Sequence, residues 1–191
     1  MPTAYTMLLP PPTSWNEFES IVKTALELKW NSSNIVSHGR QGQSQNRVDL
    51  YGSDDFGRTV GIQCKCTTAP LTKVVIDNEI AKAETLTPAI DCFLIATSAQ
   101  TDKSIQRYIR EQSDKRKATG KFPLSIMYWT DIIQTLASDT NALSSHYPNY
   151  FQGQPLINQH LPQPSATQLR TKDAHTFNEL LSYVDVISLH S

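Results

Sequence analysis

The chain has 191 residues and a formal charge of −1 at pH 7, long enough to bury a proper core and too nearly neutral for a global basic field, so any nucleic-acid binding must come from a local patch. No stretch approaches the roughly 20 apolar residues that span a bilayer, and the opening up to Pro12 lacks the basic start and apolar run of a secretion signal. Its three cysteines have no framework spacing, so a cytoplasmic protein in a reducing compartment, with no membrane partner, is expected.

Behind the proline run Pro10, Pro11 and Pro12, Ser14-x-x-Glu17 has the form of a capping box. Phe18, Ile21, Val22, Ala25 and Leu26 then recur at helical spacing, predicting a helix that runs to about Lys29. Glu17 has the capping job, whereas Glu19, at the edge of the apolar face, does not. Its carboxylate either leans towards the hairpin that follows or is solvated on the flank. A short strand over 35–38 leads into the loop 39–47, whose glycines permit positive φ. There Arg40, Gln43, Gln45 and Arg47 carry guanidinium and amide groups suited to phosphates or base edges, although such loops are also common plain connections.

Residues 48–52 and 60–66 read as two strands joined by a turn rich in Asp and Gly. Period-2 alternation puts Val60, Ile62, Cys64 and Cys66 on one face, and Gly61, Gln63 and Lys65 on the other. On the first strand Val48 and Leu50 face one way and Asp49 the other. Pairing Gly52 with Arg58 across the turn sets Asp49 opposite Gly61, on the face of Gln63 and Lys65.

Further on, 73–86 is predicted helical, with Ile76, Ile80 and Ala83 inward and Thr87-Pro88 ending it. The apolar run 92–96 suits a strand buried on both faces. A helix over 102–118 turns Ile105, Tyr108 and Ile109 inward, with Gly120 just past its end. Residues 124–129 form a last strand, and Thr130-Asp131 caps a short helix bearing Ile132, Ile133 and Leu136. The order is α-β-β-β-α-β, then α-β-α. From 138 to 172 Pro148, Pro155, Pro162 and Pro164 lie among Asn, Gln, Ser and His, the composition of a linker or extended arm. Phe177, Leu180, Leu181, Val184 and Ile187 then return to helical spacing. The expected division is a domain over 1–138, an arm over 139–172 and an amphipathic C-terminal helix over 173–191. That helix either packs back on its own domain or docks on another subunit.

A carboxylate, an amide and a lysine gathered on one face of a hairpin suit metal-assisted phosphodiester hydrolysis. The substrate needs a Lewis acid, and the attacking water must lose a proton near neutral pH. Mg²⁺ keeps several waters, so one or two carboxylates plus the substrate phosphate suffice. Asp49 is the expected main ligand and the Gln63 amide oxygen a weaker, neutral one. Lys65, two residues on and about 6–7 Å along the strand, can orient the water and stabilise charge on the phosphate. The spacing alone also suits an ordinary polar hairpin.

Other motifs point less far. Lys103, Arg107, Arg110, Lys115, Arg116, Lys117 and Lys121 could follow a phosphate backbone, but Asp102, Glu111 and Asp114 offset them, as on a solvated face. Cys64-x-Cys66 has no second pair for zinc. Loops for nucleotide hydrolysis, dinucleotide binding or α/β-hydrolase chemistry are absent from the sequence.

Taken together, Leu9-Pro10-Pro11-Pro12, Trp15-x-x-Phe18-Glu19, His38-Gly39-Arg40-x-Gly42-Gln43-x-Gln45-x-x-Val48-Asp49-Leu50-Tyr51-Gly52 and Gly61-Ile62-Gln63-Cys64-Lys65 resemble the PD-(D/E)XK nuclease superfamily. The likeness is to its Mrr-like members that carry Gln in place of the acidic residue before x-Lys, and it covers roughly residues 9–130. It implies a restriction endonuclease-like αβββαβ core with a mixed central sheet flanked by helices, and Mg²⁺-dependent DNA cleavage with Mn²⁺ as a substitute. By this resemblance Glu19 matches the helix-one acid, Asp49 the metal-binding acid, Gln63 the variant second position and Lys65 the lysine, with Asp49, Gln63 and Glu19 around the metal. One departure is Arg47, where glycine is common two residues before the aspartate. Similar modules are effectors of bacterial anti-phage defence, often dimers or larger assemblies. The expectation is therefore a Mg²⁺-dependent endonuclease on double-stranded DNA, with self-association or a partner defence protein engaged through the C-terminal helix. Alternative readings are a nuclease-like binding or assembly subunit that does not cut, and a ribonuclease on the same fold.

Overall fold

A computed structural model describes residues 9–37 and 48–150. Ser14 opens α1 (Trp15–Lys29), its hydroxyl accepting from Glu17 N at 3.5 Å. Phe18, Ile21, Val22, Ala25 and Leu26 are all buried, as their spacing predicts. Each large one contributes roughly 1.5–3 kcal/mol by leaving water. β1 (Val36–Ser37), β2 (Leu50–Ser53) and β3 (Thr59–Lys65) follow, then α2 (Lys73–Ala83), β4 (Cys92–Thr97), α3 (Lys103–Ala118), β5 (Leu124–Tyr128), α4 (Trp129–Leu136) and α5 (Thr140–His146). The strands form one sheet in the order β1-β2-β3-β4-β5. The first three pair antiparallel and the last three parallel. The fold is a mixed α/β domain with helices on both faces of a mixed sheet.

The two faces have separate cores. Val60, Ile62, Cys64, Leu94 and Ala96 pack with the α1 side chains and with Ile132, Leu136 and Leu143 of α4 and α5. Phe93, Ile95 and Leu124 pack with Ile76 and Ile80 of α2 and Ile105 and Ile109 of α3. β3 therefore lies beneath helices on both sides, and its side chains from Val60 to Cys64 are buried. Its polar face is covered by a helix, where the sequence alone allowed a surface hairpin.

Several expectations need correcting. Gly52 pairs with Val60 and Leu50 with Ile62, so the register differs by two residues from the expected pairing of Gly52 with Arg58. Asp54 causes this. Its carboxylate accepts from Phe56 N and Arg58 N, and its own N–H donates to Arg58 O, closing a tighter loop inside the ladder. A shift of two preserves the faces. Asp131 does not cap α4 from the preceding residue. It sits inside the first turn, and its carboxylate accepts from Tyr128 N at 3.0 Å. α2 ends at Ala83 rather than at 86, the chain turning there through bonds from Thr85 N to Lys82 O and from Leu86 N to Ala83 O.

Residues 140–150, expected as the start of the arm, fold onto the domain. Leu143 and Tyr147, one turn apart, enter the α1–α4 core. The Tyr147 hydroxyl donates to Pro10 O at 2.9 Å and Trp129 Nε1 to Leu9 O at 2.8 Å, fastening the start of the described chain. Two apolar anchors among Asn, Ser and His carry too weak a periodicity to be read as a helix. The rest of the expected arm and the C-terminal helix lie outside the described residues. Among the described residues, no helix is long and apolar enough to cross a membrane.

Candidate active site

Asp49 precedes β2 and is brought against β3 by its own backbone, its N–H donating to Ile62 O at 2.9 Å. It therefore falls opposite Gln63, not Gly61. Val48 packs in the α2–α3 core and Leu50 in the α1–α4 core, so the two do not share a face as regular alternation would have them. The chain breaks its alternation at Asp49, which turns the carboxylate to β3. Gly61 makes room for this path, because a Cβ there would lie 3.0 Å from both Val48 Cγ1 and Ile90 Cδ1.

The Asp49 carboxylate is buried, 9 % exposed. Its Oδ2 accepts from Cys64 N at 2.7 Å and from the Gln63 side-chain amide in a short contact. Neither bond uses Oδ1. Burial pushes its pKa up to about 6, and the charges of Glu19 and Glu79 add to the rise, while the Cys64 N–H and Lys65 oppose it. Gln63 is buried too, and its Oε1 has no hydrogen-bond partner among the described residues. An orphaned buried carbonyl of this kind costs free energy unless a ligand completes it.

Lys65 stands two residues further along β3. Its ammonium donates to Glu79 Oε1 of α2 at 2.7 Å, and Lys82 approaches the same oxygen at 3.0 Å. Burial raises the Glu79 pKa, but the bonds from the two lysines outweigh it and hold the carboxyl below its usual range. The end of β3 is fixed from β4, with Lys65 O accepting from Ser98 N and Thr97 Oγ1, both at 3.1 Å. Glu19 is half-buried on α1 and reaches Asp49 through its charge. The structure thus places Glu19, Asp49, Gln63 and Lys65 around the start of β2 and the end of β3.

Glu79 is the residue that sequence reading missed. It interrupts the stripe Ile76, Ile80 and Ala83 on the buried face of α2, and it is itself buried. A glutamate on an apolar stripe is the signal, since buried Glu is rare unless paired. Arg40, Gln43, Gln45 and Arg47 lie outside the described residues. Cys64 is in the core, its thiol pushed well up by burial and by Asp49 and Glu19. Cys66 Sγ donates to Pro12 O, and among the described residues neither cysteine belongs to a group that could hold a metal.

On α3, Lys103, Arg107 and Arg110 line the side opposite Ile105 and Ile109, and none of the three is in an ion pair among the described residues. The parallel pairing of Lys65 with Thr97 on β4 puts the start of α3 at the same end of the sheet as Lys65.

Among the described residues, no group of three or more His, Cys, Asp or Glu side chains could hold a metal. Two carboxylates and an amide oxygen are donors of the type that Mg²⁺ takes, since it fills the rest of its shell with water and substrate oxygens. A cation here would offset the repulsion between Asp49 and Glu19 and complete Gln63 Oε1. No family model and no curated protein matches the chain.

Proposed function

We propose that this chain is a metal-dependent endonuclease that hydrolyses phosphodiester bonds of double-stranded DNA, on a restriction endonuclease-like fold. The αβββαβ order of elements and the motifs around Asp49 and Lys65 support this reading. The resemblance to effector modules of anti-phage defence proteins adds that role to the reading. The chemistry rests on one observation, the buried contact of Asp49 with Gln63, whose Oε1 has no partner among the described residues, two residues from Lys65.

Asp49, Glu19 and Gln63 Oε1 would hold Mg²⁺, with Mn²⁺ as a substitute. Bound there, the ion supplies Lewis acidity at the phosphate and lowers the pKa of the attacking water. Gln63 adds an acceptor without charge, so the set suits one ion rather than two. Because burial favours protonated Asp49, loading releases its proton, and activity should rise as pH passes about 6. Lys65 has three donors and gives one to Glu79, which leaves two for a phosphate oxygen and the attacking water.

The test is incubation of labelled DNA and RNA duplexes of one sequence with the purified protein in Mg²⁺, Mn²⁺ or EDTA. Metal-dependent cuts in DNA are expected. Cuts confined to RNA would change the substrate, and metal-independent binding without cuts would make the chain a binding subunit.

A further inference from the structure

The geometry points to Glu79 as the positioning residue of this site, holding the Lys65 ammonium where it serves the phosphodiester; this assignment rests on the nuclease reading. Lysine carries about 2 kcal/mol of rotamer entropy, so an untethered Lys65 would sample many positions. The 2.7 Å bond to Glu79 removes that freedom. Glu79 is fixed in turn, because its side chain is only 6 % exposed and belongs to the buried face of α2.

Stability does not explain the pair. A buried ion pair is often no better than apolar side chains of similar volume, and position 79 lies between Ile76 and Ile80, where leucine would bury well. A carboxylate there has a use if the ammonium opposite it must be held and aimed. Lys82 completes the device. It contacts the same Glu79 oxygen from a half-exposed position, so Glu79 keeps a counter-charge when a phosphate draws on Lys65. The tie runs from a helix to a strand end that Thr97 and Ser98 already hold rigid, which gives the lysine two fixed supports.

The test pairs two readouts on wild type and Glu79→Gln. The first is the ¹⁵N ammonium resonance of Lys65 at low temperature, assigned by its loss in Lys65→Met. A held ammonium exchanges slowly enough to be seen, and the signal is expected in wild type and lost in Glu79→Gln. The second is DNA cleavage, where kcat should fall by about 10- to 100-fold with KM little changed. Glu79→Asp, which keeps the charge and withdraws the carboxylate by one methylene, runs the same comparison if Glu79→Gln does not fold. An undiminished Lys65 signal in the variant, or a raised KM at constant kcat, would overturn the assignment. If wild type cuts nothing, the nuclease reading fails on its own and the ammonium signal still decides whether Glu79 holds Lys65.

Discussion

Gln63 donates its side-chain amide to Asp49 Oδ2, the same oxygen that accepts Cys64 N at 2.7 Å. One buried carboxylate oxygen is thus held by two donors on β3, while the other amide atom of Gln63 has no partner among the described residues. The contact joins two residues of the proposed metal site, and its electrostatics can be measured without any substrate.

Asp49→Asn should stabilise the metal-free protein at high pH and do little at low pH. The folded-state pKa of Asp49, about 6, lies above its ordinary value of 3.8. Folding therefore favours the protonated form. That contribution is full below pH 3.8 and is lost as pH rises through about 6. The asparagine mimics the neutral acid, its side-chain oxygen in the place of Oδ2 accepting from both Cys64 N and the Gln63 side-chain amide. The stability gap between variant and wild type should widen by roughly 2–3 kcal/mol from pH 4 to pH 8. Urea unfolding at several pH values reads it, and a constant gap would contradict the assigned burial.

Gln63→Glu places a second carboxylate against Asp49. Without metal the like charges cannot both ionise at low cost, and the variant should be destabilised by about 2–4 kcal/mol at pH 8. Mn²⁺ should raise the melting temperature of Gln63→Glu more than that of wild type, and that of Asp49→Asn least. The ranking can be measured by thermal melts across a Mn²⁺ titration. An identical response from all three would place the ion elsewhere.

Lys65→Ala should weaken the fold as well as abolish cleavage. It leaves Glu79 buried with Lys82 alone, at a cost of about 1–3 kcal/mol. Adding Glu79→Leu removes the orphaned charge and should recover most of that loss. Denaturant unfolding of the single and double variants checks this, and full stability of Lys65→Ala would mean that Lys65 and Glu79 are not coupled.

The stripe Lys103, Arg107 and Arg110 should follow a phosphate backbone. Replacing all three with glutamine is expected to leave the fold intact and to reduce the slope of log K against log salt by about 2–3, at about 0.9 per phosphate contact. Fluorescence anisotropy with a labelled duplex at several salt concentrations gives the slope. An unchanged slope would move the DNA to another face.

Much of this was legible in the sequence where several signals agreed. α1 carried a proline run before it, a cap and a stripe together, and the apolar run 92–96 suited a buried strand. The faces of Gln63 and Lys65 followed from alternation. The register slipped because the side chain of Asp54 closes the hairpin, and a hydrophobic pattern does not encode such bonds. Val48 was misplaced because the chain breaks its alternation to deliver Asp49. α5 was hidden by having only Leu143 and Tyr147 as anchors. Glu79 was passed over because a charged residue at helical spacing reads as surface until a cation is found opposite it.

The nuclease proposal assigns DNA hydrolysis to the Asp49, Gln63 and Lys65 cluster. Cleavage of supercoiled plasmid, in Mg²⁺ or Mn²⁺ against EDTA, tests it most directly when wild type is compared with Lys65→Ala and with folded Asp49→Asn. Metal-dependent nicking or linearisation is expected from wild type and none from either variant. Wild-type rates of cutting by Asp49→Asn, or no cutting by wild type in either metal, would contradict it.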